Sequence, residues 1–567
     1  MNINKFPDFA FRANVKWLGA FFCAALISFL LFKVAGIANE KYYERWALQG
    51  DTMSYWSRDI ALSKIPVPKV ALPSRLTQAQ HAAKLNCRDP IRTIFFGLLP
   101  VDALYSINGS LYFSAITAFL FLLMLINVLE LRTGSWIFSL GAPLVTLLPS
   151  GLLSPMYGLP SRLPDIPASF LLGAALFAAF SGKNSRKSEL TWIFIAGLLL
   201  GFATLTRFQL WIYGLFIIGP IVFLFGMRRY FSGGKQARDL ILYPLALITG
   251  LGILAGQFIL ANNTRVFQFY SAAGYGLNAT IFTSLKTTGI QFLDYLGLPA
   301  VLAGTFILAG FISTRYKACM KSCKWDRVSV LWAVISYPIL LFIVMRVESI
   351  VEQTYYIVPG ILIFLLSPFY WEADRDKNTG FNIFSVCLIL ILPLAVIVKI
   401  NGYLTSETFL YPRESEIKLK KFQEGLAELV AVNIPITGNS RSSTIDSNFF
   451  YYSRFIELIV RNRFNRDASS LMIFQIRQSQ WKLNFTGEEE KDKSLIMQAL
   501  KDRIDIFMAL TNPLAACKES TFVDDYTERL AEFVNRELAS NPALWEKRGT
   551  VTGPFGEVTV YKNRTRE

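Results

Sequence analysis

The sequence predicts a mostly α-helical, polytopic membrane bundle of about eleven spans, with a small C-terminal α/β domain outside the membrane. Three observations predict it. Of 567 residues, 53% are hydrophobic and only 17% charged, too apolar for a water-soluble chain of this size. Runs of about 20 apolar residues, the length a helix needs to cross a hydrocarbon core, recur over the first 400 positions. After Asn401 charges become frequent and no such run follows.

The spans are read at about 17–37, 109–130, 135–153, 167–182, 190–206, 208–226, 240–261, 291–313, 328–345, 354–371 and 380–400. The first, from Trp17 to Phe32, is long enough to stay as an anchor and has no small-residue cleavage site behind it. Connections alternate in charge. One set carries Lys5, Arg12 and Lys16; Arg132; Lys183, Arg186 and Lys187; and Arg228, Arg229, Lys235 and Arg238. It continues with Arg315, Lys317, Lys321, Lys324 and Arg327, then Arg375 and Lys377. The positive-inside rule puts this set in the cytoplasm, so the amino terminus is inside and the carboxyl terminus outside. The same pattern assigns the net charge of +16 to membrane topology and not to nucleic-acid binding.

The division is therefore 1–400, a membrane domain whose outer loop spans 38–108, and 401–567, a soluble α/β domain. In the outer loop, Ile91 to Leu104 mixes apolar residues with Arg92 and Asp102, as an interfacial helix does. In the tail, helical patterning falls at 413–432, 490–503 and 523–540, and apolar runs at Leu471–Ile476 and Ile504–Leu510. Two strands flank a Pro-Phe-Gly turn at the end. No internal repeat is visible, so the inverted-repeat plan of secondary transporters lacks support.

The polar residues that could carry chemistry gather on the outer side. Asp51, in Gly50-Asp51-Thr52-Met53-Ser54-Tyr55-Trp56, is either a general base or the cap of a helix starting at Thr52. Asp165 precedes Pro167 and an apolar run, which is also a capping position. Arg162 could pair with a phosphate or lie at lipid headgroups. Arg207 sits between two apolar spans with almost no loop. A charge at that depth costs about 2.5–3.5 kcal/mol, so anion binding competes with simple snorkelling. Glu348 and Glu352 are four residues apart and share a helix face, open to metal, to substrate hydroxyls or to solvent. His81 is the single histidine, which excludes His-rich metal sites and histidine relays. No metal site is assigned, although the acids admit a divalent cation. Cys319 and Cys323 have a poor zinc spacing, while Cys87 and Cys517 fall on the same outer side, where they could pair.

These segments together resemble the GT-C glycosyltransferases, multi-span enzymes that use polyprenyl-phosphate-linked sugars. Four places carry the likeness: Gly50-Asp51-Thr52-Met53-Ser54-Tyr55 after the first span, Arg162-Leu163-Pro164-Asp165 heading the fourth, Gly201-Phe202-Ala203-Thr204-Leu205-Thr206-Arg207, and Tyr355-Tyr356-Ile357-Val358-Pro359. The first loop has Asp51-Thr52 where the family often has Asp-Glu or Glu-x-Asp, and Arg88-Asp89-Pro90 stands where it often has His-Pro-Pro. The resemblance implies transfer of a sugar from a polyprenyl-phosphate donor to a hydroxyl of a glycan, lipid or protein at the outer face. It implies Asp51 and Asp165 as the catalytic acids. Arg162, Arg207, Tyr55, Glu348, Glu352 and Tyr356 would contact substrate. The expected setting is a bacterial inner membrane, with the tail in the periplasm. A transporter or flippase of a lipid-linked or amphipathic solute is the rival reading; it predicts ionisable residues near the membrane midplane.

Overall fold

The computed structural model describes residues 6–45, 95, 109, 111–133, 136–147, 152, 165–182, 185–232, 237–272, 286, 289–290, 297–298, 301–306, 309, 324–348, 379–405, 414–434, 442–448, 452–470, 488–511 and 525–566. The chain divides into two compact units, residues 1–39, 87–95 and 110–406 in one and 40–86, 96–109 and 407–567 in the other.

The first unit is helical. Its described elements are α1 (Phe6–Arg45, whose last turns belong to the second unit), α2 (Leu111–Thr133), α3 (Trp136–Gly141), α4 (Asp165–Ser181), α5 (Arg186–Thr206) and α6 (Leu210–Ser232). They continue with α7 (Arg238–Ala272), α8 (Lys324–Glu348) and α9 (Thr379–Leu404). Among the described residues five stretches are long and apolar enough to cross a membrane: Trp17–Glu40, Leu111–Leu131, Arg186–Thr206, Leu210–Ser232 and Arg238–Leu260. Shorter apolar helical segments at Ile166–Ser181, Arg327–Ser336 and Leu390–Gly402 overlap three more of the expected spans. The span expected at 354–371 lies outside the described residues, and 291–313 is described only in part.

One expectation needs correction. The continuous span read at 135–153 is instead the six-residue α3 followed by a 3-10 helix, Ala142–Leu147. Gly141 and Pro143 explain the change, since proline has no N–H to continue the α-helical ladder. Helix α7 is 35 residues long and runs on to Ala272, beyond the stretch apolar enough to cross a membrane, Arg238–Leu260. At 1.5 Å per residue it reaches about 52 Å, and the 40-residue α1 about 60 Å, against roughly 30 Å of hydrocarbon.

The packing is that of a lipid-facing bundle. Phe22, Leu26 and Phe29 on α1 and Ile241, Ile253 and Leu260 on α7 point outward, Leu260 with 82% of its surface exposed. Hydroxyls turn inward and bond back to their own helix: Thr204 Oγ1 donates to Leu200 O at 2.8 Å and Thr206 Oγ1 to Phe202 O at 2.9 Å. That satisfies the polar atoms where no water competes.

The second unit holds α10 (Glu414–Val432), β1 (Ser443–Ser447), α11 (Tyr452–Phe464), β2 (Ala468–Ser470), α12 (Glu489–Arg503) and β3 (Ile506–Leu510). It closes with α13 (Asp525–Ser540), β4 (Trp545–Gly553) and β5 (Gly556–Asn563). The strands form one sheet in the order β2-β1-β3-β5-β4, parallel from β2 to β3 and antiparallel through β5 and β4. Central β3, Ile-Phe-Met-Ala-Leu, is buried along its whole length, as a strand covered on both faces must be. Ile496 and Leu500 of α12, Leu530 and Val534 of α13, Phe507 of β3 and Trp545 of β4 form one core. The other face receives α10, where Leu429 packs under Gly549 and Phe422 under Gly553.

Candidate active site

Helix pairing fixes which residues can meet. Ser28 Oγ donates to Ala115 O at 2.6 Å, and Phe21 and Phe32 touch Phe119 and Tyr112, so α1 runs antiparallel to α2. Phe121 contacts both Phe170 and Phe177, and Asn127 Nδ2 donates to Ser181 Oγ at 3.0 Å, so α4 runs parallel to α2. Phe180 of α4 meets Phe225 of α6 edge-on at 5.7 Å. About four turns before Phe180 stands Asp165, and about four turns before Phe225 stands Leu210, so the two lie at similar height. Asp165 at the head of α4 and the α5–α6 turn therefore share one end of the unit. The same pairing brings α1 toward that end as it approaches Asn39.

The turn between α5 and α6 is tight. Thr206 ends α5, and Arg207 caps it in extended backbone (φ −145°, ψ 113°), its N–H bonded to Ala203 O at 2.8 Å. Leu210 N then bonds back to Arg207 O at 3.1 Å and starts α6. Phe208 is 3% exposed and packs edge-on against Phe258 of α7 at 5.6 Å, which pins the turn. Arg207 is half-buried on this anchored corner. The packing of Phe208 and the two backbone bonds fix the backbone of this turn at the helix end.

Of the other expected site residues, Glu348 is the last residue of α8. Asp51, Tyr55, Arg162, Glu352 and Tyr356 lie outside the described residues, as do Cys87 and Cys517. Among the described residues no group of three or more His, Cys, Asp or Glu is placed to hold a metal ion.

At the opposite end of α5, α6 and α7 stands a cluster that the sequence reading missed. Glu189, 3% exposed in the first turn of α5, accepts from Arg228 Nη2 at 2.6 Å and from Arg229 Nε and Nη2 at 2.9 and 2.7 Å. Tyr243 Oη of α7 donates to its second oxygen. Beside it Arg186 pairs with Asp239. The available signal was Glu189 itself, an acid directly at the edge of an apolar span, where a charge calls for a partner. The reading counted the neighbouring cations only as topology markers.

The crystal structure of ArnT from Cupriavidus metallidurans bound to undecaprenyl phosphate aligns with 96% of this chain and 98% of its own, with a TM-score of 0.50 and 12% identity. The chain shares the overall fold of that structure. An Archaeoglobus fulgidus oligosaccharyltransferase, solved with zinc and sulfate, aligns over 94% of this chain and 73% of its own at 14% identity and a TM-score of 0.40. The archaeal oligosaccharyltransferase AglB from the same organism, in complex with an inhibitory peptide and a dolichol-phosphate, gives 0.37 at 13% identity over 95% and 74%. No family model and no curated sequence matches the chain. The described part places Asp165 at the head of α4 and Arg207 on the α5–α6 turn at one end of the helical unit.

Proposed function

We propose that this chain is a membrane glycosyltransferase that moves a sugar from a polyprenyl-phosphate donor to an acceptor hydroxyl at the outer membrane face. The observation that carries the reading is the alignment along nearly the whole chain with ArnT, a protein solved with undecaprenyl phosphate bound. Asp165 and Arg207 at one end of the bundle support it.

Asp51 takes the acceptor proton or orients the hydroxyl for in-line attack on the anomeric carbon. The new glycosidic C–O bond forms as the bond from that carbon to the phosphate oxygen breaks. Polyprenyl phosphate departs with the electron pair, and Arg207, with Arg162, stabilises the charge gathering on its oxygens. Asp165 is the second acid, positioned by the helix it heads. Tyr55, Tyr356, Glu348 and Glu352 contact sugar or acceptor. The acceptor is a glycan, lipid or protein, and the setting is a bacterial inner membrane with the carboxyl-terminal domain, 401–567, in the periplasm.

Placement can be tested before chemistry. A cysteine at position 51 in a chain stripped of its native cysteines should react with a membrane-impermeant maleimide from the periplasmic side of intact cells. Labelling only after the inner membrane is opened would put the loop in the cytoplasm and remove Asp51 from the mechanism.

A further inference from the structure

The end of α5–α7 that carries Glu189 presents a surface the proposed reaction does not use. Five cations converge there from three helices: Arg186 and Lys187 of α5, Arg228 and Arg229 of α6, and Arg238 of α7. The two acids among them, Glu189 and Asp239, are only 3% and 5% exposed and already paired inward. What faces outward is therefore a collar of excess positive charge, with Lys187 and Arg238 exposed and Arg186 and Arg229 each 29% exposed at the side chain.

Around the collar lie large apolar side chains turned outward. Phe231 (55% exposed) sits in the last turn of α6 and Phe223 (47%) about two turns deeper. Ile241 (67%) and Leu245 (50%) follow Arg238 on the first two turns of α7. Cationic groups at a helix end above exposed hydrocarbon match one kind of partner: a molecule with an anionic head and apolar tails in the same orientation.

We propose that this collar docks an anionic phospholipid, its phosphodiester among Arg186, Lys187, Arg229 and Arg238 and its acyl chains along Phe223, Phe231, Ile241 and Leu245. Glu189 and Asp239 hold the three helix ends together against mutual repulsion of the cations, so the collar stays formed without the lipid. The phosphodiester chemistry could also attract free phosphate. The exposed apolar flank makes the lipid the occupant.

Native mass spectrometry of full-length protein, with equal amounts of phosphatidylglycerol and phosphatidylcholine of the same chains, tests the proposal. The wild-type chain should retain phosphatidylglycerol selectively, and millimolar inorganic phosphate should not displace it. Lys187→Gln and Arg238→Gln change exposed groups outside the Glu189 pairing, so the unfolding temperature in detergent should stay put. Each should lower that selectivity about fivefold, from the roughly 1 kcal/mol a surface cation contributes. A Phe231→Ala chain should keep the charge preference but hold the lipid for less time. Equal retention of both lipids, undiminished selectivity in both glutamine variants, or displacement by phosphate would overturn the proposal.

Discussion

Two arginine environments decide most of what single residues can do here. Arg207 caps a turn pinned by Phe208 against Phe258, and in the proposed reaction its guanidinium stabilises the charge developing on the phosphate. Arg207→Ala should lower transfer about 10²–10³-fold in turnover, the usual loss for one preorganised donor. Arg207→Lys should recover little, since an ammonium cannot make paired hydrogen bonds to phosphate. Turnover assays of purified variants check this, and near-normal rates in the alanine variant would assign Arg207 to the headgroup boundary. Glu189 faces the opposite problem: it neutralises Arg228 and Arg229 where little water reaches. Glu189→Ala would leave both guanidiniums and Tyr243 facing each other and should cost about 3–5 kcal/mol. Thermal unfolding in detergent would report that loss, and an unaltered midpoint would show the pairing is dispensable.

At the level of elements, α5 and α7 pack as closely as helices can. A Cβ on Gly197 would stand 2.3 Å from Leu247 O, and one on Gly250 would stand 2.3 Å from Phe194 O. Both distances are impossible, so the backbones touch directly, the small-residue packing that replaces the hydrophobic effect inside a bilayer. Gly250→Val should therefore separate the helices and sharply reduce the folded yield. Gly256→Ala, where nothing lies within 4 Å, should be neutral or slightly stabilising by helix propensity. Size-exclusion profiles of the two variants distinguish the outcomes; equal yields would contradict the packing account. The long helices were legible because an apolar run about 20 residues long has few other uses. The break at Pro143 was missed because proline is tolerated in apolar spans, as Pro220 in α6 and Pro244 in α7 show. Strands β1 (Ser-Thr-Ile-Asp-Ser) and β2 (Ala-Ser-Ser) carried no apolar run at all. Their burial comes from parallel neighbours and from α11, which no local pattern announces. The closing hairpin, with its turn residues and alternating side chains, was readable.

For the molecule as a whole, the picture is a helical unit with apolar, membrane-length helices and an α/β unit with its own core. The candidate site was legible as residue types at span edges. What the sequence could not supply was helix pairing, and pairing is what puts Asp165 and Arg207 at one end and the Glu189 cluster at the other. Asp51 follows α1 by a few residues, so its role depends on chemistry that only turnover can reveal. The decisive experiment incubates purified full-length protein with a panel of polyprenyl-phosphate sugars and envelope extract, and follows released polyprenyl phosphate and sugar-modified products by mass spectrometry. The account predicts release coupled to product with at least one sugar, and loss of both in Asp51→Asn although that protein still binds donor. Donor left intact across the panel, with lipid-linked solute moved between leaflets instead, would contradict it.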